Sequence, residues 1–426
     1  MKQTAKAGSF RAFLICTGLS ASVMCLLSVT GEVAQAQIFP FKDAVSSEWL
    51  KDVSVKGLIE GGIMANPARP SDGMNYGNFF ADHANQMQLN QLNLTVSKAV
   101  DQSRNDYQIG FVLEALYGSD ARYYHLLGVS GRMTSLRYQL IPAQAHVDVH
   151  LPWLTKNGLD MEAGILQSPM GVEGLDPSSR PFYTLAYTSQ YSVPFEHVGA
   201  LFHWHVAPKI DVNFGIDTGN QTTFGKSDDN DEPAGYFGVT FHDLLNGKLK
   251  ITELSRVGPE DQIRVFGRRA ANAKERFWND LSGTYQINER LSVTGEFNYL
   301  HDAGLRADTY SFISFLQYQI LPELNFNFRG EIYRDNTGLF VATFLSNQGA
   351  VDAIAGINTP TLSAPPTTYG EMTLGLTWHP DIGHGVRVFE IRPEIRFDRS
   401  LNGTTPFNGS RNSGMFTFGG DAMIGF

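Results

Sequence analysis

Two stretches of this 426-residue chain carry the same charged pattern: Arg-Gly-Glu-Ile-Tyr-Arg-Asp at 329–335 and Arg-Pro-Glu-Ile-Arg-Phe-Asp at 392–398. On an extended chain, alternate residues point to one side. Arg329, Glu331 and Asp335 therefore share a face, as do Arg392, Glu394 and Asp398. Glu390 and Arg396 lengthen the second column, and Glu296 has the matching phase in 290–301. Two chemistries suit such columns. Charged side chains that line a water-filled passage set its field, as rings of charge do in selective channels. Alternatively, Arg–Glu pairs stitch neighbouring strands together. On the first reading the lining residues are Glu296, Arg329, Glu331, Glu390, Arg392, Glu394, Arg396 and Asp398, and the three arginines help set ion preference.

A second group is His146, Asp148 and His150 with Asp160, Glu162, His203 and His205, all in one phase near the same end of three consecutive strands. Imidazoles and carboxylates can hold a transition metal. No Glu-flanked His pair on a helix and no Cys supports that here, and hydrogen-bonded polar residues are the plainer account. The acidic run Asp228-Asp229-Asn230-Asp231-Glu232 lacks the central Gly and distal Glu of a calcium loop. The 257–276 connection carries Arg264, Arg268, Arg269, Lys274 and Arg276, suited to lipopolysaccharide phosphates, to folding inward or simply to solvent. The 335–367 connection holds the oily Gly-Leu-Phe-Val-Ala-Thr-Phe-Leu, which suits a mouth or a wall extension better than a free loop. There is no Gly-x-Ser-x-Gly elbow and no paired catalytic constellation. Neither catalysis nor a cofactor is expected.

The elements that present these columns are strands. Period-two alternation recurs from residue 53 to the end. It predicts sixteen strands near 53–64, 89–99, 106–117, 137–150, 159–168, 184–206, 208–218, 235–243, 248–256, 277–287, 290–301, 308–320, 323–334, 368–379, 386–398 and 414–426. Pro194 interrupts the sixth, whose regular part is 196–206, and Pro393 predicts a bulge or bend. Short connections alternate with longer, more polar ones, as in outer-membrane barrels with short periplasmic turns and long extracellular loops. Phe389, Ile391, Ile395 and Phe397 oppose the charged residues of their strand. Arg or Lys facing lipid at midplane costs about 2–4 kcal/mol, so the charged face must be the interior. Trp153, Trp204 and Trp378 fall at strand ends assigned to the periplasmic side, where an aromatic girdle belongs.

Lys2, Lys6 and Arg11 precede an apolar run, and Ala34-Gln35-Ala36 has the form of a signal peptidase site. Cleavage after Ala36 removes both cysteines and leaves 30 basic against 42 acidic residues, a net charge of −12 that disfavours nucleic acid. No later apolar run reaches the roughly 18 residues of a spanning helix. The organisation expected is a signal at 1–36, a periplasmic segment at 37–52 and an antiparallel up-and-down barrel at 53–426. In the last strand Phe416, Phe418, Ala422, Ile424 and Phe426 share one face. That strand must close against the first, since an open edge cannot persist in hydrocarbon. Its terminal Phe426 resembles the signal read by outer-membrane assembly machinery.

The stretches Ala-His-Val-Asp-Val-His-Leu-Pro (145–152), Gly-Ile-Leu-Gln-Ser-Pro-Met-Gly-Val-Glu-Gly (164–174) and 181–201, with 328–338 and 390–400, resemble the OmpL-like β-barrel porins. The resemblance implies an outer-membrane porin of a Gram-negative bacterium, passing small solutes or ions by diffusion, and it supplies no catalytic residues. Membrane lipid, lipopolysaccharide, assembly machinery and further copies of the chain are the expected partners. A non-conducting adhesion or display barrel, and a barrel enzyme relying on His203 or His205, remain the alternatives.

Overall fold

Alternation along these segments closes into one barrel in the computed structural model, which describes residues 49–102, 104–126, 128–130, 137–223, 230–261, 263–343, 364–383 and 385–426. The cleavage site at Ala36, Asp228 and Asp229, and most of 335–367 lie outside the described residues. The strands are β1 (Ser54–Ala65), β2 (Met87–Lys98), β3 (Gln108–Gly118), β4 (Gln139–Leu151), β5 (Leu159–Gln167), β6 (Glu196–Ala207), β7 (Ile210–Asp217) and β8 (Ala234–Asp243). They continue as β9 (Leu249–Pro259), β10 (Glu275–Asn288), β11 (Leu291–Asp302), β12 (Ala307–Leu321), β13 (Leu324–Asp335), β14 (Thr367–Trp378), β15 (Val388–Ser400) and β16 (Gly414–Gly425). Each pairs antiparallel with its sequence neighbours, and β16 closes on β1 with Leu58 opposite Gly425 and Ala65 opposite Phe418. The Phe426 amide extends the seam by donating to the Gly57 carbonyl at 3.0 Å.

The faces sort as the alternation requires. On β16, Phe416, Phe418 and Ile424 are exposed to the outside, whereas Met415, Thr417, Asp421 and Met423 are buried within. On β15, Ile395 and Phe397 look outward and Arg392, Glu394, Arg396 and Asp398 inward. Polar residues take the outward phase towards strand ends, as at Arg399, Arg334 and the His301–Asp308 pair, and also on β9 and β10. Glu253 and Ser255 share the outward phase of Val257 on β9, and Asn279 shares that of Leu281 on β10. The three bond to one another there: the Asn279 amide donates to Glu253 at 2.7 Å and to Ser255 at 2.9 Å.

The sixth strand keeps only the regular part expected beyond Pro194: β6 begins at Glu196, and 184–195 is not strand, because Tyr187–Tyr191 form a helical turn. At Pro393 there is no bulge. The β14–β15 pairing stops at Gly375↔Glu394 and resumes in the same register at Trp378↔Ile391. The prolyl nitrogen cannot donate to the ladder, so the pairing has a gap without a slip.

Candidate functional site

The site is built by the connection between β5 and β6. Residues 168–195 turn inward and meet the charge columns of β13, β14 and β15. A buried loop brings backbone amides and carbonyls that need partners, and here the wall supplies them. Tyr183-Thr184 and Tyr187-Thr188 repeat one dipeptide four residues apart. Glu394 accepts from the amides of Tyr183 at 2.9 Å and Thr184 at 3.3 Å, and from the Thr184 hydroxyl. Glu331 accepts from the amides of Tyr187 at 2.6 Å and Thr188 at 2.7 Å, and from the Thr188 hydroxyl at 2.6 Å. Each glutamate of the strand repeat thus holds one Tyr-Thr pair of the segment.

The arginines take the carbonyls. Arg329 donates to Thr184 O at 2.7 Å, Arg396 to Leu185 O at 2.6 Å, and Arg392 to both Pro177 O and Arg180 O at 2.6 Å. Their remaining N–H groups meet carboxylates: Glu173 and Glu371 for Arg329, Asp421 for Arg392 and Asp398 for Arg396. Such charge-assisted bonds are the strong class. Aromatic faces complete the packing, with Arg329 5.0 Å from the Phe182 ring centre and Arg396 5.3 Å from that of Tyr187. Room for this is made by Gly62 in the wall, where a Cβ would lie 2.6 Å from the Tyr183 ring.

Nearer the extracellular side the lumen is packed with aromatics. Phe79 stacks on Tyr123 at 4.3 Å and Tyr124 on Phe195 at 4.9 Å. The same cluster reaches Tyr333, Tyr369, Phe407 and Phe340. Phe340 belongs to the oily stretch of 335–367, whose described turn Leu339–Thr343 therefore folds into the mouth. In 257–276, by contrast, Arg268 is exposed and pairs with Asp231. The 66–86 and 119–126 segments are locked together by Arg122, which meets Asp82 at 2.9 Å.

Beside that lock, burial pushes His125 down from 6.5 to about 4, against a smaller upward pull from Gln139. A histidine with a depressed folded value is bound neutral, so its contribution is intact above the unfolded value and lost as pH falls from 6.5 towards 4. Hydrogen exchange of 119–126 is expected to speed up across that window in the wild type and to lose the dependence in His125→Leu.

Seven of the eight residues proposed from sequence as pore lining, Glu296, Arg329, Glu331, Arg392, Glu394, Arg396 and Asp398, are inward but no more than 4% exposed. They lie under the inward segment rather than against open water. Glu390 alone is half-buried. Buried charges persist only when paired and hydrogen-bonded, and the loop and its carboxylates provide that. The stitching chemistry describes these contacts, with the difference that the columns stitch a loop to the wall as well as strand to strand. The histidines are engaged in pairs: His150 with Asp160 at 2.6 Å, His205 with Asp160 and Asp211, His203 with Asn213, and His146 with Asp148. Among the described residues no group of three or more such side chains is arranged to hold a metal.

Sequence reasoning missed the inward course of 168–195. Its trace in the sequence is the Tyr-Thr-x-x-Tyr-Thr repeat downstream of Glu173, whose even spacing also suits a strand and so did not mark the segment as inward. Between this segment and the periplasmic strand ends lies a cavity of about 570 Å³ along β1 to β5, closed by the ends of β15 and β16.

The family model described as "Putative beta-barrel porin-2, OmpL-like" matches residues 52–426. The chain belongs to that family. It is an outer-membrane porin of Gram-negative bacteria, a channel for solute diffusion set in membrane lipid. No curated protein matches the chain. The porin's fold is similar to that of the outer membrane channel DcaP of Acinetobacter baumannii (10% identity, 88% of this chain and 97% of that chain covered, TM-score 0.51). It is also similar to an anion-selective porin from Comamonas acidovorans (10% identity, 88% and 99% covered, TM-score 0.52) and to OprB of Pseudomonas putida (13%, 89% and 96%, TM-score 0.54). At such identities the likeness concerns the fold alone.

Proposed function

We propose that this porin passes small polar solutes with a preference for cations, through a bore set by residues 168–195. The observation that carries the reading is the balance of charge left over once the segment is docked. The arginines of the columns are consumed by it. On the periplasmic half of the lumen Glu114, Asp148, Glu162, Asp211 and Glu390 remain half-buried, against Lys56, Lys250 and Arg387. An excess of one sign on pore walls attracts the opposite ion. In a planar bilayer under a tenfold KCl gradient, the reversal potential is expected on the K⁺ side of zero. A chloride-directed potential would overturn the preference.

The same reading makes the chain a passive channel without catalysis. It takes 1–36 as a removed signal ending at Ala36, 37–52 as periplasmic and the strand ending at Phe426 as the piece offered to the assembly machinery. Loop contact with lipopolysaccharide belongs with it. The polar triad of Glu253, Ser255 and Asn279 supports a homo-oligomer. A carboxylate on an otherwise apolar outer face is costly in hydrocarbon. Beside it Gly283, Gly295, Ser314 and Gly330 stand opposite one another on successive strands, leaving a shallow face that a second barrel can approach closely. Cysteines placed at Ser255 are expected to cross-link between barrels in native membranes, and Glu253→Leu to leave the oligomer altered on mild-detergent gels. Exclusively monomeric wild type would remove the oligomer.

A further inference from the structure

We infer that the cavity along β1 to β5 is a binding site for small organic cations carrying primary ammonium groups. The inference rests on the cation-preferring channel reading and names the solute class for it. Four consecutive strands contribute. Asn93 comes from β2, Glu114 from β3, Gln144 and Asp148 from β4 and Glu162 from β5, while Asp176 of the inward segment closes the far side. Asp148 and Glu162 stand directly opposite each other across the β4–β5 ladder. Like charges in that relation are destabilising. His146 meets Asp148 at 2.6 Å, but the Glu162 carboxylate makes no side-chain hydrogen bond or ion pair among the described residues.

An independent feature points the same way. Asn93 is 8% exposed, and its Oδ1 meets no donor among the described residues. Its Nδ2 is committed to Gln91 Oε1 at 3.0 Å and Glu114 Oε1 at 3.2 Å. Turning the amide over would set Oδ1 against two other acceptors, so the unmet acceptor is fixed by its surroundings. A buried acceptor without a donor is expensive. Oδ1 lies just beneath the cavity wall and adds its negative end to the carboxylates that line it, which favours a ligand rich in N–H donors and positive charge. An ammonium group has three donors and no acceptor. Lys56 and Arg387, where the strand ends line the cavity, stand on its periplasmic side, so the acidic part lies deeper, against the inward segment.

The probe is 1,4-diaminobutane, with butane-1,4-diol as a neutral match of similar length, applied to the full barrel. In planar bilayers the diamine is expected to reduce current at concentrations at least tenfold below those at which the diol does so. Glu114→Gln with Glu162→Gln is expected to raise the half-blocking concentration at least tenfold, with the barrel's heat-modified gel migration retained. Should that pair fail to fold, Asn93→Asp supplies a further carboxylate at the unmet acceptor and is expected to lower the half-blocking concentration several-fold. Diol and diamine blocking alike, or variants indistinguishable from wild type, would overturn the site. Calorimetry in detergent separates the two readings. Diamine binding in a barrel that carries no current overturns conduction and keeps the site; current without diamine binding keeps conduction and overturns the site.

Discussion

Barrels carrying Glu331→Gln and Glu394→Gln together are expected to conduct at least twofold more current than wild type and to admit larger sugars in liposome swelling. The two carboxylates hold the backbone of 183–188 from both ends of its Tyr-Thr repeat. At Glu331 each oxygen faces a different amide, Oε2 that of Tyr187 and Oε1 that of Thr188. A glutamine can present an oxygen to only one of them; its NH₂ must face the other N–H. Hydrogen bonds to charged groups are worth about 1.5–3 kcal/mol each, so losing several at once exceeds what keeps a loop in a single position. The strand ladders are untouched by the change, and the folded band on a gel should persist. Unchanged conductance and unchanged size cut-off would show that the segment does not set the bore.

Arg392→Ala should act on stability first. Its guanidinium joins Asp421, Glu60 and two carbonyls of the inward segment. Without it, the cation left to Glu60 and Asp421 among the described residues is Arg180, 3.8 Å from Glu60. Removing one partner of a buried pair costs about 3–5 kcal/mol, because the other charge is left buried and uncompensated. Urea unfolding from lipid vesicles should register a loss of that size, and Asp421→Asn placed on top of it should restore a large part. A loss under about 1 kcal/mol, the range of exposed pairs, would mean that water already reaches the site. The three arginines are then expected to influence ion preference through the segment they hold. Replacing them with Gln should shift the reversal potential together with the conductance, and a shift in potential at constant conductance would instead indicate direct lining.

The inward direction of the glutamates and arginines, and the oily outer residues, were legible one strand at a time; the burial of those charges was not. Ile395 and Phe397 had to oppose Glu394, Arg396 and Asp398 whatever the rest of the chain did, because side-chain direction along a strand has a period of two. The same rule placed the closing strand and all sixteen segments within a few residues. It ran the sixth candidate back to 184, where tyrosines and threonines imitate a strand, although Pro194 confined the regular part to 196–206. It was silent about Glu253 and Asn279, whose polarity breaks the pattern from the lipid side.

What the chain determined by itself was therefore the barrel, its strand number, its facing and its loop asymmetry, all of which follow from local alternation and from the rule that no strand edge stays unpaired in hydrocarbon. Only the tertiary structure decided what fills that barrel. Glu331 and Glu394 are separated from Tyr187 and Thr184 by 144 and 210 residues, and their pairing depends on the geometry of a closed wall surrounding the segment. Alternation tells a side chain which way to point; whether it finds water, a loop or another charge there depends on chain segments far away in sequence.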